Sequence, residues 1–124
     1  MIAVALSKRA SYDSAVRHAQ ETAVFQALGD DRRRAILEEL RDGQRSVAEL
    51  TRHLGISQPS VSRHLRLLKN AGLVEDEPDG ARRLYRLRAE GAEAVRAYIE
   101  SLWGEAAGRF QLVARNAPKP AKTR

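Results

Sequence analysis

The 124-residue chain contains no cysteine. Disulfides, thiolate metal sites and cysteine nucleophiles are therefore excluded. That absence fits a reducing, cytoplasmic setting. No apolar run approaches the length of a membrane span, so no transmembrane helix and no membrane partner are expected. The apolar start, Met1 to Leu6, is too short for the core of a secretory leader. Its basic pair, Lys8-Arg9, also follows that stretch instead of preceding it. There is no internal repeat. Acidic residues are missing from positions 57–72 and again from the last 16 positions.

Hydrophobic residues make up 43% of the chain and charged residues 31%, which suits one soluble folded domain. Net charge is +6. Much of it is a tail effect: Arg109, Arg115, Lys119, Lys122 and Arg124 close the chain without an acid. The other 108 residues hold 17 basic and 16 acidic groups, so local arrangement matters more than the total. A core of this size folds with little margin. Apolar faces on terminal helices are then best buried against a second subunit.

The pattern of apolar residues divides the chain. Residues 1–12 show no period and read as a flexible arm. Residues 13–28 read as a helix capped by Asp13 or Ser14, with Val16, Ala19, Ala23, Val24, Ala27 and Leu28 as its stripe. Gly29 breaks it. A second helix starts near Asp30-Asp31, buries Ile36, Leu37 and Leu40, and stops at Asp42-Gly43. A third runs from Val47 to Leu54. Ser46 before it and Glu49 in its first turn have capping-box spacing. Gly55 ends it. Ser57 is the expected N-cap of a fourth helix, 58–71, with Pro59 in its first turn. Gly72 stops it. The period then alternates. Leu73-Val74 and Leu84–Leu87 flank Glu77-Pro78-Asp79-Gly80, read as the turn of a β-hairpin. A long helix over 89–114 follows, with Val95, Ile99, Leu102, Trp103, Ala106, Phe110 and Val113 recurring every three or four residues. Residues 115–124 read as a basic disordered tail. The expected domain is thus 13–114, mainly α with one β-hairpin.

The third and fourth helices meet at the tight turn Gly55-Ile56-Ser57, which makes a helix-turn-helix. Val47, Leu50, Leu54, Ile56, Val61 and Leu65 account for its core. The outward face of the fourth helix is left over: Gln58, Ser60, Ser62, Arg63, Arg66 and Lys69 are polar or basic. A helix N-terminus offers free N–H groups to phosphates. Glutamine pairs with adenine and arginine with guanine in the major groove. The hairpin carries Arg82, Arg83, Arg86 and Arg88 on its second strand, suited to the flanking backbone. The candidate DNA-contacting set is Ser57, Gln58, Pro59, Ser60, Ser62, Arg63, His64, Arg66, Lys69, Arg82 and Arg83. Pairing of the hairpin arginines with Glu75, Asp76 and Glu77 is the bland alternative.

Two stretches resemble the ArsR/SmtB winged-helix repressors. One is Leu28-Gly29-Asp30-Asp31-Arg32-Arg33-Arg34-Ala35-Ile36-Leu37. The other is Leu54 through Leu65, followed by Leu68-Lys69 and Ala71-Gly72-Leu73-Val74. The resemblance covers roughly residues 20–112. It implies a winged helix-turn-helix homodimer built from the first and last helices, acting as a repressor on an operator in double-stranded DNA. Two-fold symmetry then predicts an inverted repeat with half-sites ~34 Å apart. The chain departs from the family's metal sensors. Ser46 and Ala48 stand at the paired-cysteine positions. The last helix offers Glu90, Glu93, Glu100 and Glu105 but no histidine. No metal and no other cofactor is expected.

Other chemistries find little support. His18, His53 and His64 fall on different predicted helices without metal-ligand spacing; His64 reads instead as partly buried or phosphate-facing, and His53 as a helix-surface residue. Ser60 and His64 are neighbours at i, i+4, but no orienting acid or oxyanion hole accompanies them, so no catalytic residue and no enzyme activity are expected. The stripe with Tyr98, Trp103 and Phe110 reads as core, effector pocket or dimer seam. A 26-residue helix, ~39 Å long, exceeds what a small core can cover, which favours the seam. Ala94, Ala97, Ala106 and Ala107 permit close helix approach. The expected dimer residues are Val16, Ala19, Ala23, Val95, Ile99, Leu102, Trp103, Ala106 and Phe110. Two rivals stay open: a regulator with a small-molecule effector at the dimer seam, and a winged-helix protein-interaction module.

Overall fold

The computed structural model describes the backbone of residues 2–116 and the side chains of residues 11–104. Five helices and three strands follow one another: α1 (Ile2–Leu28), α2 (Asp31–Leu40), β1 (Arg45–Ser46), α3 (Val47–Leu54), α4 (Gln58–Asn70), β2 (Val74–Asp79), β3 (Arg82–Leu87) and α5 (Gly91–Asn116). This is a helical domain with a small antiparallel sheet, the winged helix-turn-helix expected.

The local signals for the inner helices act as read. Asp30 caps α2, its carboxylate accepting from the N–H groups of Arg32 at 2.8 Å and Arg33 at 3.2 Å. Ser46 and Glu49 form the full capping box on α3, with bonds of 3.1 and 3.2 Å. Each satisfies a donor that a helix start leaves orphaned. Ser57 caps α4 by accepting from the Ser60 N–H at 3.4 Å. Gly55 closes α3 at φ +66°, where a side chain would be strained. That left-handed residue redirects the chain into α4 within three positions.

Three boundaries differ from expectation. The first helix begins at Ile2, not at residue 13, so the expected arm over 2–12 is helical and Asp13 and Ser14 lie inside the helix. Residues 2–12 contain neither Gly nor Pro and are rich in good helix formers. Propensity carries the helix there without an apolar stripe. The hairpin turn is Gly80-Ala81, since Asp79 pairs with Arg82. Pro78 lies within β2, opposite Arg83, and not in the turn. It is tolerated because β2 is an edge strand in the order β1-β3-β2, where a missing N–H costs least. The two-residue strand β1, which pairs Arg45 with Tyr85 and Ser46 with Leu84, escapes any periodicity. The last helix runs over Gly91–Asn116, two residues later at each end than expected. The expected tail, 115–124, lies almost wholly beyond the described residues.

The core forms where α1, α2, α3, α4 and the root of the hairpin converge. Ile36, Leu50, Val61, Leu65, Leu68 and Val74 are fully buried, with Val24, Ala27, Leu40 and Leu73 around them. Each large aliphatic side chain contributes roughly 1.5–3 kcal/mol of burial. Together they hold α4 from behind and leave its opposite face to solvent.

Candidate nucleic-acid interface

α4 presents one continuous polar face. Val61, His64, Leu65 and Leu68 point inward. Gln58, Pro59, Ser62, Arg63, Arg66 and Lys69 are exposed, and Ser60 is half-buried. Among the described residues, neither Arg63 nor Arg66 belongs to an ion pair. Two guanidinium groups thus stand unneutralised on the helix that the glycine turn pushes outward. The N-terminal turn contains no acidic residue, so its N–H dipoles add to the positive field.

His64 departs from the expected contact set. Only 5% of it is exposed, and its side chain is packed into the interior. It lies three residues after Val61 and four before Leu68, which puts it on the core face of the helix. Its Nδ1 lies 3.4 Å from Arg33 Nη1. A guanidinium only donates, so a hydrogen bond there requires a neutral imidazole with its proton on Nε2. Nε2 is buried and has no partner among the described residues. Burial holds the His64 pKa below its ordinary value of 6.5, helped by Arg33 and Arg63 and opposed by Asp30. His64 therefore faces no phosphate.

The wing is charge-balanced. Arg82 bonds Asp79 at 3.0 Å and lies 3.7 Å from Glu49. Arg83 bonds Asp76 at 2.5 Å. Arg86 reaches Glu75 at 3.2 Å and Glu77 at 3.1 Å, and Arg88 reaches Glu90 at 3.5 Å. The bland alternative for these arginines therefore holds in the free protein. Most of these pairs are half-exposed, and such pairs contribute ~0–1 kcal/mol, so phosphates can compete for the guanidinium groups. Asp76 is the exception. Only 4% of its side chain is exposed, and its second oxygen accepts from Lys69 Nζ at 2.7 Å. Hydrogen bonds from Lys69 and Arg83 hold its carboxyl below the usual carboxylate range. The spacing of α4 and the hairpin in the sequence gives no sign of this link.

A second surface lies on α1 and α5. Val16, Phe25, Tyr98, Ile99, Leu102 and Trp103 are all substantially exposed, Trp103 at 55%. Phe25 and Tyr98 meet edge to face at 5.0 Å, which joins the two helices into one apolar surface. Ala19 is exposed on the same helix, whereas Ala23 is half-buried. Val95 packs partly against the core of its own chain. Ala106 and Phe110 lie outside the described side chains. An open groove of about 560 Å³ runs beside this surface, between α1, the end of α4 and the start of α5.

Among the described residues no group of three metal-ligating side chains comes together. His53 pairs with Glu39 at 3.2 Å and His18 is exposed elsewhere on α1. Nor is any described helix long and apolar enough to cross a membrane.

Comparison with known proteins points one way. The family model described as bacterial regulatory protein, arsR family, matches residues 30–76. The chain is 47% identical over 90 residues to the HTH-type transcriptional regulator Rv2034 of Mycobacterium tuberculosis, covering 72% of this chain and 84% of that protein. It is 40% identical over 57 residues to the transcriptional repressor SdpR of Bacillus subtilis, covering 46% of this chain and 63% of that protein. Among solved structures it is similar to the homodimeric winged helix-turn-helix DNA-binding domain of a possible ArsR-family regulator from Mycobacterium bovis. The TM-score is 0.62 at 30% identity, covering 77% of this chain and 89% of that one.

Proposed function

The chain belongs to the ArsR family of bacterial transcriptional regulators, and we propose that it represses transcription as a homodimer on an inverted-repeat operator, without a metal cofactor. The observation that carries this reading is the exposed face of α4, where Arg63 and Arg66 stand outside any described ion pair. Gln58, Pro59, Ser60, Ser62 and Arg63 enter the major groove and read or fit base edges. Ser57, Arg66 and Lys69 meet phosphates at its margins. Arg82 exchanges carboxylate for phosphate as the wing closes on the flanking backbone, and Arg83 approaches that backbone while held by Asp76. Phosphate contacts set the register and base contacts set the sequence preference.

Subunits pair through α1 and α5. The exposed Val16, Phe25, Ile99, Leu102 and Trp103 support this, because water-facing apolar surface of this extent on a small domain marks an interaction site. Metal independence is supported by Ser46 and Ala48 at the sensor-cysteine positions and by a last helix without histidine. Repression then needs only steric occupation of a promoter.

Fluorescence anisotropy across a salt series tests the reading, with the protein's own upstream region against a scrambled duplex. Preference for the native duplex by at least ~10³-fold is the expected result. No binding to either duplex at low salt would overturn it and bring forward the protein-interaction module.

A further inference from the structure

Arg33 joins three parts of the fold. Its Nε donates to the Ala27 carbonyl at 2.8 Å and its Nη2 to the Gln26 carbonyl at 3.0 Å, both at the C-terminal end of α1. Nη1 lies 3.8 Å from the Asp30 carboxylate, the cap of α2. The same Nη1 faces His64 Nδ1 on the buried side of α4. Two carbonyl bonds fix the guanidinium, so its remaining N–H aims at the imidazole from a fixed position.

Stability alone does not account for a histidine here. Its Nε2 is buried without a partner among the described residues. Such an orphan donor is destabilising, and an apolar side chain of similar size would avoid it. The other inward residues of α4, Val61, Leu65 and Leu68, pack without directional preference. A hydrogen bond has direction. The Arg33–His64 contact therefore adds a directional restraint on the roll of α4 against α1 and α2, beyond what apolar packing supplies. A roll of ~10° moves a side-chain tip at the ~5–6 Å radius of a helix by about 1 Å. That exceeds the ~0.5 Å tolerance of a preorganised site.

We infer that His64 is a positioning residue for operator recognition, which orients the base-reading face of α4 relative to the pairing helix α1 through Arg33. The inference rests on the DNA-binding reading above. It also makes recognition sensitive to acid. A protonated His64 would carry donors on both nitrogens and place a second cation against Arg33. The charged groups around it are Arg33 and Arg32 on α2, Asp30 at the cap of α2, and Arg63 on α4 itself. Burial opposes protonation most strongly, Asp30 favours it and the three arginines oppose it, so the pKa is lowered, and protonation breaks the contact when it occurs.

The test uses a duplex selected by the wild-type protein from a randomised library, with a scrambled duplex beside it. His64→Leu removes the acceptor. His64→Asn keeps one near the place of Nδ1. The expected result for His64→Leu is a loss of about tenfold or more on the selected duplex, ~1.4 kcal/mol, with unchanged binding to the scrambled one and a melting temperature no lower than the parent's. His64→Asn restores most of the loss. As pH falls below about 6.5, the ordinary value that burial pushes His64 beneath, the wild type loses preference for the selected duplex, whereas His64→Asn does not. Wild-type affinity in a folded His64→Leu, or equal losses on both duplexes, overturns the inference. Should His64→Leu not fold, His64→Asn decides: a wild-type pH profile in that variant overturns it as well. If the library yields no preferred sequence, the DNA-binding reading itself fails, and this inference fails with it.

Discussion

Lys69 on the recognition helix and Asp76 on the wing are joined by a 2.7 Å ion pair in which the carboxylate is almost wholly buried. Arg83 occupies the other oxygen of Asp76. One side chain thus sets the angle between the helix and the hairpin. Asp76→Asn is expected to lower stability by roughly 1 kcal/mol, because two half-exposed cations keep only a neutral partner. The folded pKa of Asp76 lies below its ordinary value of 3.8. Its contribution is therefore present above that ordinary value and is lost as pH falls through the folded one. Urea denaturation at neutral and acid pH checks both points. An unchanged midpoint at neutral pH would show that the link carries no stability.

Arg63 and the wing arginines should differ in kind. Arg63→Ala is expected to cost roughly 1–3 kcal/mol on the operator and to relax base preference. Arg83→Ala should weaken binding to all duplexes alike and flatten the salt slope. The effect will be modest, because Asp76 already neutralises Arg83 in the free protein. Anisotropy titrations against single-base operator variants separate the two. A uniform loss for Arg63→Ala would move base reading to another residue.

Gly91 starts α5 against the end of α4 and the start of β2. A Cβ there would stand 2.7 Å from the Gly72 carbonyl oxygen and 2.9 Å from Leu73 Cα. Both are backbone atoms, so no side chain can simply swing away. Gly91→Ala should destabilise by about 1–3 kcal/mol through overpacking. Thermal melting reads this directly, and a variant as stable as the parent would mean that the α5 start shifts freely.

Leu102 and Trp103 are each more than half exposed on α5. Leu102→Glu should leave the fold of one subunit intact, since the side chain supports little of its own core. It should shift the protein from dimer to monomer in sedimentation velocity and weaken operator binding in parallel. A dimer of undiminished strength would place the subunit contact elsewhere.

His64 makes stability depend on pH. Its folded pKa is held below 6.5 by burial. The unfolded chain therefore takes up a proton first as pH falls. Stability from this group is complete above about pH 6.5 and declines below it, down to the folded value. Denaturation midpoints measured across that window should fall toward acid for the parent and less steeply for His64→Asn. Parallel profiles would locate the acid sensitivity in other groups.

Most of the frame was legible because it depends on neighbours in the chain. Asp30, Ser46 with Glu49, and Ser57 act as caps within three residues of themselves, and Gly55 needs only its own freedom of φ. The apolar period of α4 equally forecast the burial of Val61, Leu65 and Leu68. What depends on partners far along the chain was not legible. His64 belongs to a helix face that can be core or surface margin, and only packing against elements far along the chain, where Arg33 lies 31 positions earlier, shows which. Pro78 looks like a turn residue until its strand is known to be an edge. The arginines of β3 look like free cations until the register sets each beside a carboxylate. The sequence by itself determined the helix-turn-helix, its caps and the polar face of α4, because these follow from local geometry and hydrophobic period. Tertiary structure alone decided the burial of His64, the neutralised wing and the Asp76 link, because burial and ion pairing depend on groups that only folding brings within a few ångströms.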